Sequence, residues 1–153
     1  MTILIDADGC PVVDITVKIA AEYKTECIIL CDTSHVFEKP GARTITVSKG
    51  SDSVDFALVN MAHAGDVVVT QDYGLAAMCL ARRAIPISQN GMVYTEKNID
   101  AFLNERHMAK KIRMSGGRLK GPPKRTAEQD AAFEKTLRAL LQLRLETDQL
   151  FHF

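Results

Sequence analysis

Two short runs, Cys27-Ile28-Ile29-Leu30-Cys31 and Val67-Val68-Val69, are apolar without interruption. A strand with one wet face alternates polar and apolar residues. A strand with no polar position is covered on both faces, which is how a parallel sheet between helical layers reads. Thr2–Asp6 behaves in the same way, Asp66–Thr70 frames the second run, and Thr44–Val47 and Ile85–Ser88 supply further short strands.

Helical segments separate these runs. Pro11 suits a first helical position, with Val12, Ile15, Ile19 and Ala20 following at helical spacing. Ser51 or Asp52 can cap a helix running to about His63 and ended by Gly65, and Tyr73–Arg83 forms another. Asn90-Gly91 marks a tight turn before Met92–Tyr94. Strands and helices alternating over short connections predict a three-layer α/β/α fold with a mostly parallel central sheet.

The character changes after Asn98. A helix is expected over Ile99–Arg113, then a Gly/Pro-rich stretch, Ser115–Pro123. Thr126-Ala127-Glu128-Gln129 has the form of a capping box opening a last helix, whose Phe133, Leu137, Leu140 and Leu141 share one face. The expected organisation is a single domain over residues 1–146, with a basic Gly-rich loop at about 106–125, a C-terminal helix at about 126–146 and a tail at 147–153. A chain of 153 residues, 46% hydrophobic and 25% charged, is ordinary for one globular domain with a real core. There is no internal repeat. The N-terminus enters a strand directly, and no run approaches the roughly 18 apolar residues of a membrane span, so a cytoplasmic location is expected.

Cys10, Cys27, Cys31 and Cys79 form no C-x-x-C pair, and the four histidines show no ligand spacing with them, which argues against zinc. Cys27 and Cys31 should share one strand face as reduced, buried thiols.

Zero net charge hides an asymmetry. Residues 1–103 carry 8 Lys/Arg against 13 Asp/Glu, and residues 104–153 carry 11 against 6. An acidic body with a basic C-terminal part suits a cation on one side and an anion on the other. Open α/β sheets bind ligands outside the carboxyl ends of their strands. Asp6 and Asp8 follow the first strand, Asp72 follows Asp66–Thr70, and Asp52 and Asp55 open the middle helix on one face. Each has a local explanation, as a turn residue or an N-cap. Together, carboxylates gathered at one edge repel one another and call for a cation. Hard oxygen donors favour Mg²⁺ or Mn²⁺, and such an ion serves phosphodiester hydrolysis.

Residues 106–125 hold 8 Lys/Arg and no acid. Lys110, Lys111, Arg113, Arg118, Lys120, Lys124 and Arg125, with bare backbone N–H groups at Gly116 and Gly117, are the candidate nucleic-acid contacts. At 6% aromatic content, base-stacking platforms are sparse.

The segments Ile5-Asp6-Ala7-Asp8-Gly9-Cys10-Pro11-Val12, Ser51-Asp52-Ser53-Val54-Asp55, Thr70-Gln71-Asp72-Tyr73-Gly74-Leu75-Ala76 and Gly116-Gly117-Arg118-Leu119-Lys120-Gly121-Pro122 resemble the signature segments of the bacterial YaiI/YqxD family, to about residue 146. That family is similar to PIN-like domains, which are metal-dependent nucleases. The resemblance implies metal carboxylates at Asp6, at Asp52 or Asp55, and at Asp72, with Asp8 an added candidate. Gly9 stands where the resemblance leads one to expect alanine, a change expected only to loosen the turn.

The resulting expectation is a Mg²⁺- or Mn²⁺-dependent nuclease acting on RNA, with catalytic carboxylates Asp6, Asp8, Asp52, Asp55 and Asp72. Two alternatives stand beside it. One is a catalytically silent PIN-like protein that binds RNA or a ribosomal partner. The other is a haloacid-dehalogenase-type phosphatase with Asp6 as nucleophile and Asp8 as acid/base, since Asp6-Ala7-Asp8 also resembles that D-x-D motif. The oligomeric state is left open by the sequence.

Overall fold

The computed structural model describes residues 1–35, 37–50, 52–117 and 123–151. In chain order the elements are β1 (Thr2–Asp6), α1 (Val13–Glu22), β2 (Glu26–Asp32), β3 (Arg43–Val47), α2 (Ser53–Met61), β4 (Val67–Val69), α3 (Tyr73–Ala81), β5 (Ile85–Ile87), α4 (Ile99–Met114) and α5 (Ala127–Phe151). The five strands form one sheet in the order β3-β2-β1-β4-β5, parallel throughout. Central β1 pairs Ile5 with Ile29 of β2 on one side and with Val69 of β4 on the other.

The alternation of side chains along each strand explains the layers. Ile3, Ile5, Cys27, Ile29, Cys31, Val67 and Val69 pack with Val13, Val17 and Ile19 of α1 and Phe133, Leu137 and Leu141 of α5. Leu4, Ile28, Leu30 and Val68 point the other way, against Leu58 of α2 and Leu75 and Cys79 of α3. Both faces are therefore buried, which is why the strands contain so little polar sequence. Cys27 and Cys31 share the α1/α5 face as expected, and all four cysteines are free. A third cluster of Ala76, Tyr94 and Ile99, with Tyr73 and Phe102 packed on it, mounts α4 on α3. No helix among the described residues is long and apolar enough to cross a membrane.

Several boundaries differ from expectation for local reasons. Pro11 follows the turn closed by Cys10 N donating to Ala7 O at 3.0 Å, and α1 begins two residues after it. α2 ends at Met61 because Ala62 is extended. The next turn is organised by Asp66, only 6% exposed, whose carboxylate accepts from Thr2 N and His63 N, each at 2.9 Å. Gly9 has φ +72°, a conformation natural to glycine, so it relieves the turn rather than merely loosening it. The expected capping box is present, with Gln129 N donating to Thr126 Oγ1 at 3.3 Å and Thr126 N to Gln129 Oε1 at 2.9 Å. α5 continues through 147–151, where a tail was expected. Arg144 Nε meets Asp148 Oδ1 at 3.1 Å, and Thr147 Oγ1 donates to Leu143 O at 2.9 Å.

α5 is seated partly by Thr136 Oγ1, which donates to Gly91 O at 2.7 Å. Gly91 has φ +84°, and a Cβ there would run into the Ala132 carbonyl, meeting its carbon at 2.7 Å. Gly91→Ala is therefore expected to cost about 3 kcal/mol by urea unfolding, strain and collision combined. Gly9→Ala meets no atom within 4 Å and should cost about 1 kcal/mol, the backbone strain alone. Equal losses at the two positions would contradict the packing of α5 on the β5 turn.

Candidate functional site

The sheet order reverses beside β1, because the chain runs outward through β2 and β3 and returns to place β4 on the other side of β1. The carboxyl ends of β1 and β4 thus flank a crevice, the usual ligand position in such sheets. Asp6 ends β1. Thr70 and Asp72 follow β4.

Thr70, 2% exposed, links the Asp6 carboxylate to the Asp72 backbone. Its Oγ1 donates to Asp6 Oδ2 at 2.8 Å and accepts from Asp72 N at 3.0 Å. Asp72 is also the N-cap of α3, its Oδ1 accepting from Leu75 N at 3.1 Å. The same Oδ1 lies 3.6 Å from Nη1 of Arg106 on α4, with both side chains partly open to solvent, 36% for Asp72 and 60% for Arg106. Asp55 approaches from the first turn of α2. Burial and then the charges of Asp72, Asp6 and Asp52 push its carboxyl up to about 6. Burial also raises Asp6, against the opposing Thr70 hydrogen bond, with the Asp72 and Asp8 charges adding to the rise. Asp6, Asp55 and Asp72 therefore form one electrostatically coupled group drawn from three chain segments. Asp52 occupies the N-cap position of α2 at φ +63° with its carboxylate making no cap bond, and it is exposed. Ser51, the other candidate cap, lies outside the described residues.

Charge coupling is not the same as a closed cage. Among the described residues, no three carboxylates from Asp6, Asp52, Asp55 and Asp72 bring oxygens within 4.8 Å of one another. The trio that does so is Asp8, Asp32 and His35. Asp8 leaves Asp6 and turns to the end of β2, where its Oδ2 accepts from Asp32 N at 3.0 Å. Its Oδ1 is shut off from solvent without an aligned hydrogen bond, although His35 Nδ1 stands 2.7 Å away. Asp32 accepts from Ser34 N at 2.7 Å and Ser34 Oγ at 2.5 Å. Asp32 and His35 were missed by sequence reading. The signal for Asp32 was its place at the end of a buried strand, as Asp6 ends β1.

The helix expected over Ile99–Arg113 is present as α4, so the first part of the basic segment is helix and not loop. Residues 106–114 belong to α4, so Lys110, Lys111 and Arg113 stand exposed on a helix. Gly116 has φ +84°, its N–H donates to Arg113 O at 3.2 Å, and Gly117 N donates to Ile112 O at 2.9 Å. This is a Schellman closure of α4, so those two N–H groups are already spent and are not offered to phosphate. Arg125 is 20% exposed and clamps three partners. Its Nε donates to Asp130 Oδ1 at 2.7 Å, Nη1 to Asn90 Oδ1 at 2.8 Å and Nη2 to Gln89 O at 2.6 Å. It holds α5 to the β5 turn instead of meeting a ligand. Lys124 is exposed. Arg118 and Lys120 lie outside the described residues.

Among the described residues three openings adjoin the carboxylates, the smallest, about 50 Å³, being lined by Asp6, Asp8, Cys10, Thr70 and Gln71 among others. A groove of about 320 Å³ is lined by Asp52, Asp55, Phe56, Asp72, Met78 and Arg106 among others. A cleft of about 450 Å³ is lined by Gln71, Asp72, Tyr73, Glu105, Arg106, Ala109 and Arg113. Phe56 is 61% exposed, so aromatic surface is available here despite its scarcity in the chain. Burial raises all four cysteine thiols. Burial pushes Cys10 up to about 11 and Cys27 and Cys79 up to about 12, keeping them as thiols.

The raised Asp55 makes stability depend on pH. A carboxyl whose folded value lies above its ordinary 3.8 favours the fold most below that value, and the benefit is lost as pH climbs through about 6. Asp55→Asn should therefore stabilise the protein by about 1 kcal/mol at pH 8, after discounting for solvent screening, or by about 2–4 °C in Tm. The difference should vanish near pH 4. Thermal melts of both proteins across that range check this, and a pH-independent difference would remove the coupling.

A family model described as "Uncharacterized BCR, YaiI/YqxD family" matches residues 4–143. Among curated relatives, a UPF0178 protein of Exiguobacterium sibiricum is 55% identical over 141 residues, covering 92% of this chain and 96% of its own. Similar UPF0178 proteins occur in Clostridium acetobutylicum, 48% identical with 92% and 97% covered, and in Ruminiclostridium cellulolyticum, 51% identical with 90% of each chain covered. No solved structure matches the chain significantly.

Proposed function

The chain belongs to the YaiI/YqxD family, and from that premise we propose that it is a PIN-like, Mg²⁺- or Mn²⁺-dependent hydrolase of phosphodiester bonds, acting on RNA. One observation carries the reading. At the sheet's reversal point Thr70 ties the Asp6 carboxylate to the Asp72 backbone, and Asp55 stands near enough to both that, after burial, their charges push its carboxyl up to about 6. A half-buried trio of carboxylates that, among the described residues, has one guanidinium at 3.6 Å is under-neutralised, and its all-oxygen donors are of the kind a hard divalent ion takes.

Asp6, Asp55 and Asp72 would hold that ion by drawing in around it, since as they stand no three of Asp6, Asp52, Asp55 and Asp72 bring oxygens within 4.8 Å of one another. When bound, it would supply an activated water and neutralise charge on a phosphoryl oxygen. Thr70 keeps Asp6 oriented through its 2.8 Å hydrogen bond, and the α3 cap keeps Asp72 from turning away. Arg106 offers a charge to the phosphate from the other side, and Lys110, Lys111 and Arg113 extend the positive face along α4. Asp8 is outside this set, since its carboxylate is engaged at the end of β2.

Purified protein incubated with single-stranded and structured RNA should cleave with Mn²⁺ and stop with EDTA. Asp6→Asn and Asp72→Asn should each lower the rate by about 100-fold or more while leaving the protein folded. Cleavage that persists equally in EDTA or in Asp72→Asn would refute the assignment. RNA bound by wild type and never cut would replace it with the binding-only reading. A phosphoryl group trapped on Asp6 would replace it with the phosphatase.

A further inference from the structure

The cleft between α3 and α4 is lined at one end by Asp72 and runs on from the carboxylates along α4. Its walls are chemically mixed in an ordered way. Arg106 and Arg113 stand seven residues apart on α4, two turns along the same face, with Ala109 between them leaving open space. Tyr73 forms the opposite wall at the first position of α3. It is fixed in place, with its ring centroid 5.1 Å from Phe102 and 6.1 Å from Tyr94. Gln71 closes the β4 side, its Oε1 anchored by Gln89 N at 2.9 Å, which leaves its amide N–H groups as donors. Glu105 is the acid of the opposite rim.

We propose that this cleft is a nucleotide subsite, in which Arg106 and Arg113 hold a phosphate and the braced Tyr73 ring packs on the base. About 450 Å³ is enough for one nucleotide unit. Two guanidiniums on one helix face suit the paired oxygens of a phosphate, and an aromatic ring held by its neighbours loses little entropy on stacking. Gln71 supplies donors to a base edge, and Glu105 accepts from ribose hydroxyls. Arg106 is shared between the phosphate and Asp72, so a nucleotide seated here places its phosphate next to the carboxylate group. The inference rests on the hydrolase reading for its purpose, but not for its detection.

The test therefore omits metal. The full-length protein in EDTA is titrated with 5′-AMP, 5′-UMP, inorganic phosphate and adenosine, followed by amide NMR shifts and by calorimetry. Both mononucleotides should bind at least about fivefold more tightly than phosphate or adenosine, with shifts centred on Tyr73, Ala109 and Arg113. Arg113→Ala should weaken mononucleotides and phosphate alike by about fivefold or more. Tyr73→Leu should weaken mononucleotides and leave phosphate unchanged, with Tyr73→Phe restoring affinity, which separates stacking from a packing defect. Lys135→Ala removes one positive charge from exposed α5 surface and should change nothing. Mononucleotides that bind no better than phosphate, shifts elsewhere on the surface, or indifference to Arg113→Ala would overturn the subsite. Nucleotide binding in the cleft without RNA cleavage in Mn²⁺ would uphold the subsite and reject the hydrolase. Cleavage without binding in the cleft would do the reverse.

Discussion

Everything at the carboxylate edge depends on the pairing of β1 with a parallel strand on each side. Its backbone is fully used by β2 and β4, so its residues cannot slip, and Asp6 is fixed on the α2/α3 face by the alternation that buries Leu4 there. Because the chain reverses direction across the sheet at this point, the β1 and β4 ends diverge into separate loops instead of being covered by one connection. The crevice follows from the topology, and Asp6 and Asp72 are its two lips.

The Thr70 hydroxyl is the smallest part of this arrangement and the most economical. Donating to Asp6 and accepting from the Asp72 backbone, it satisfies a buried polar group twice and fixes the spacing of two carboxylates that repel. The local cost appears in Asp55 and Asp6, both held above the usual carboxylate range chiefly by burial. Carboxylates that oppose folding in this way are a common mark of a working site, where stability has been given up for charge that a ligand will neutralise.

Local chemistry in the sequence was legible wherever it was also decisive. The capping box at Thr126 and Gln129, the apolar strands, and the shared face of Cys27 and Cys31 depend on residues near one another in the chain, and they are found as expected. The misreadings have a common cause. Gly116 and Gly117 look like phosphate-binding backbone until α4 is seen to end there and take both N–H groups. Arg125 looks like part of a basic patch until Gln89 and Asn90, some 35 residues earlier, are found beneath its guanidinium. The direction of Asp8 was decided by the backbone N–H of Asp32, on a strand the motif does not contain.

The sequence by itself determined the layered α/β/α architecture, the strand-end placement of Asp6 and Asp72, and the family. Hydrophobic period, turn chemistry and motif order are properties of neighbouring residues and need no third dimension. The tertiary structure alone decided that Asp55 joins Asp6 and Asp72 while Asp52 stays in solvent, that Asp8 leaves them for Asp32 and His35, and that Tyr73 faces Arg106 and Arg113 across a cleft. Those are contacts between distant segments. Their outcome depends on how helices rotate as they pack on a twisted sheet, and on which charges the burial leaves facing one another.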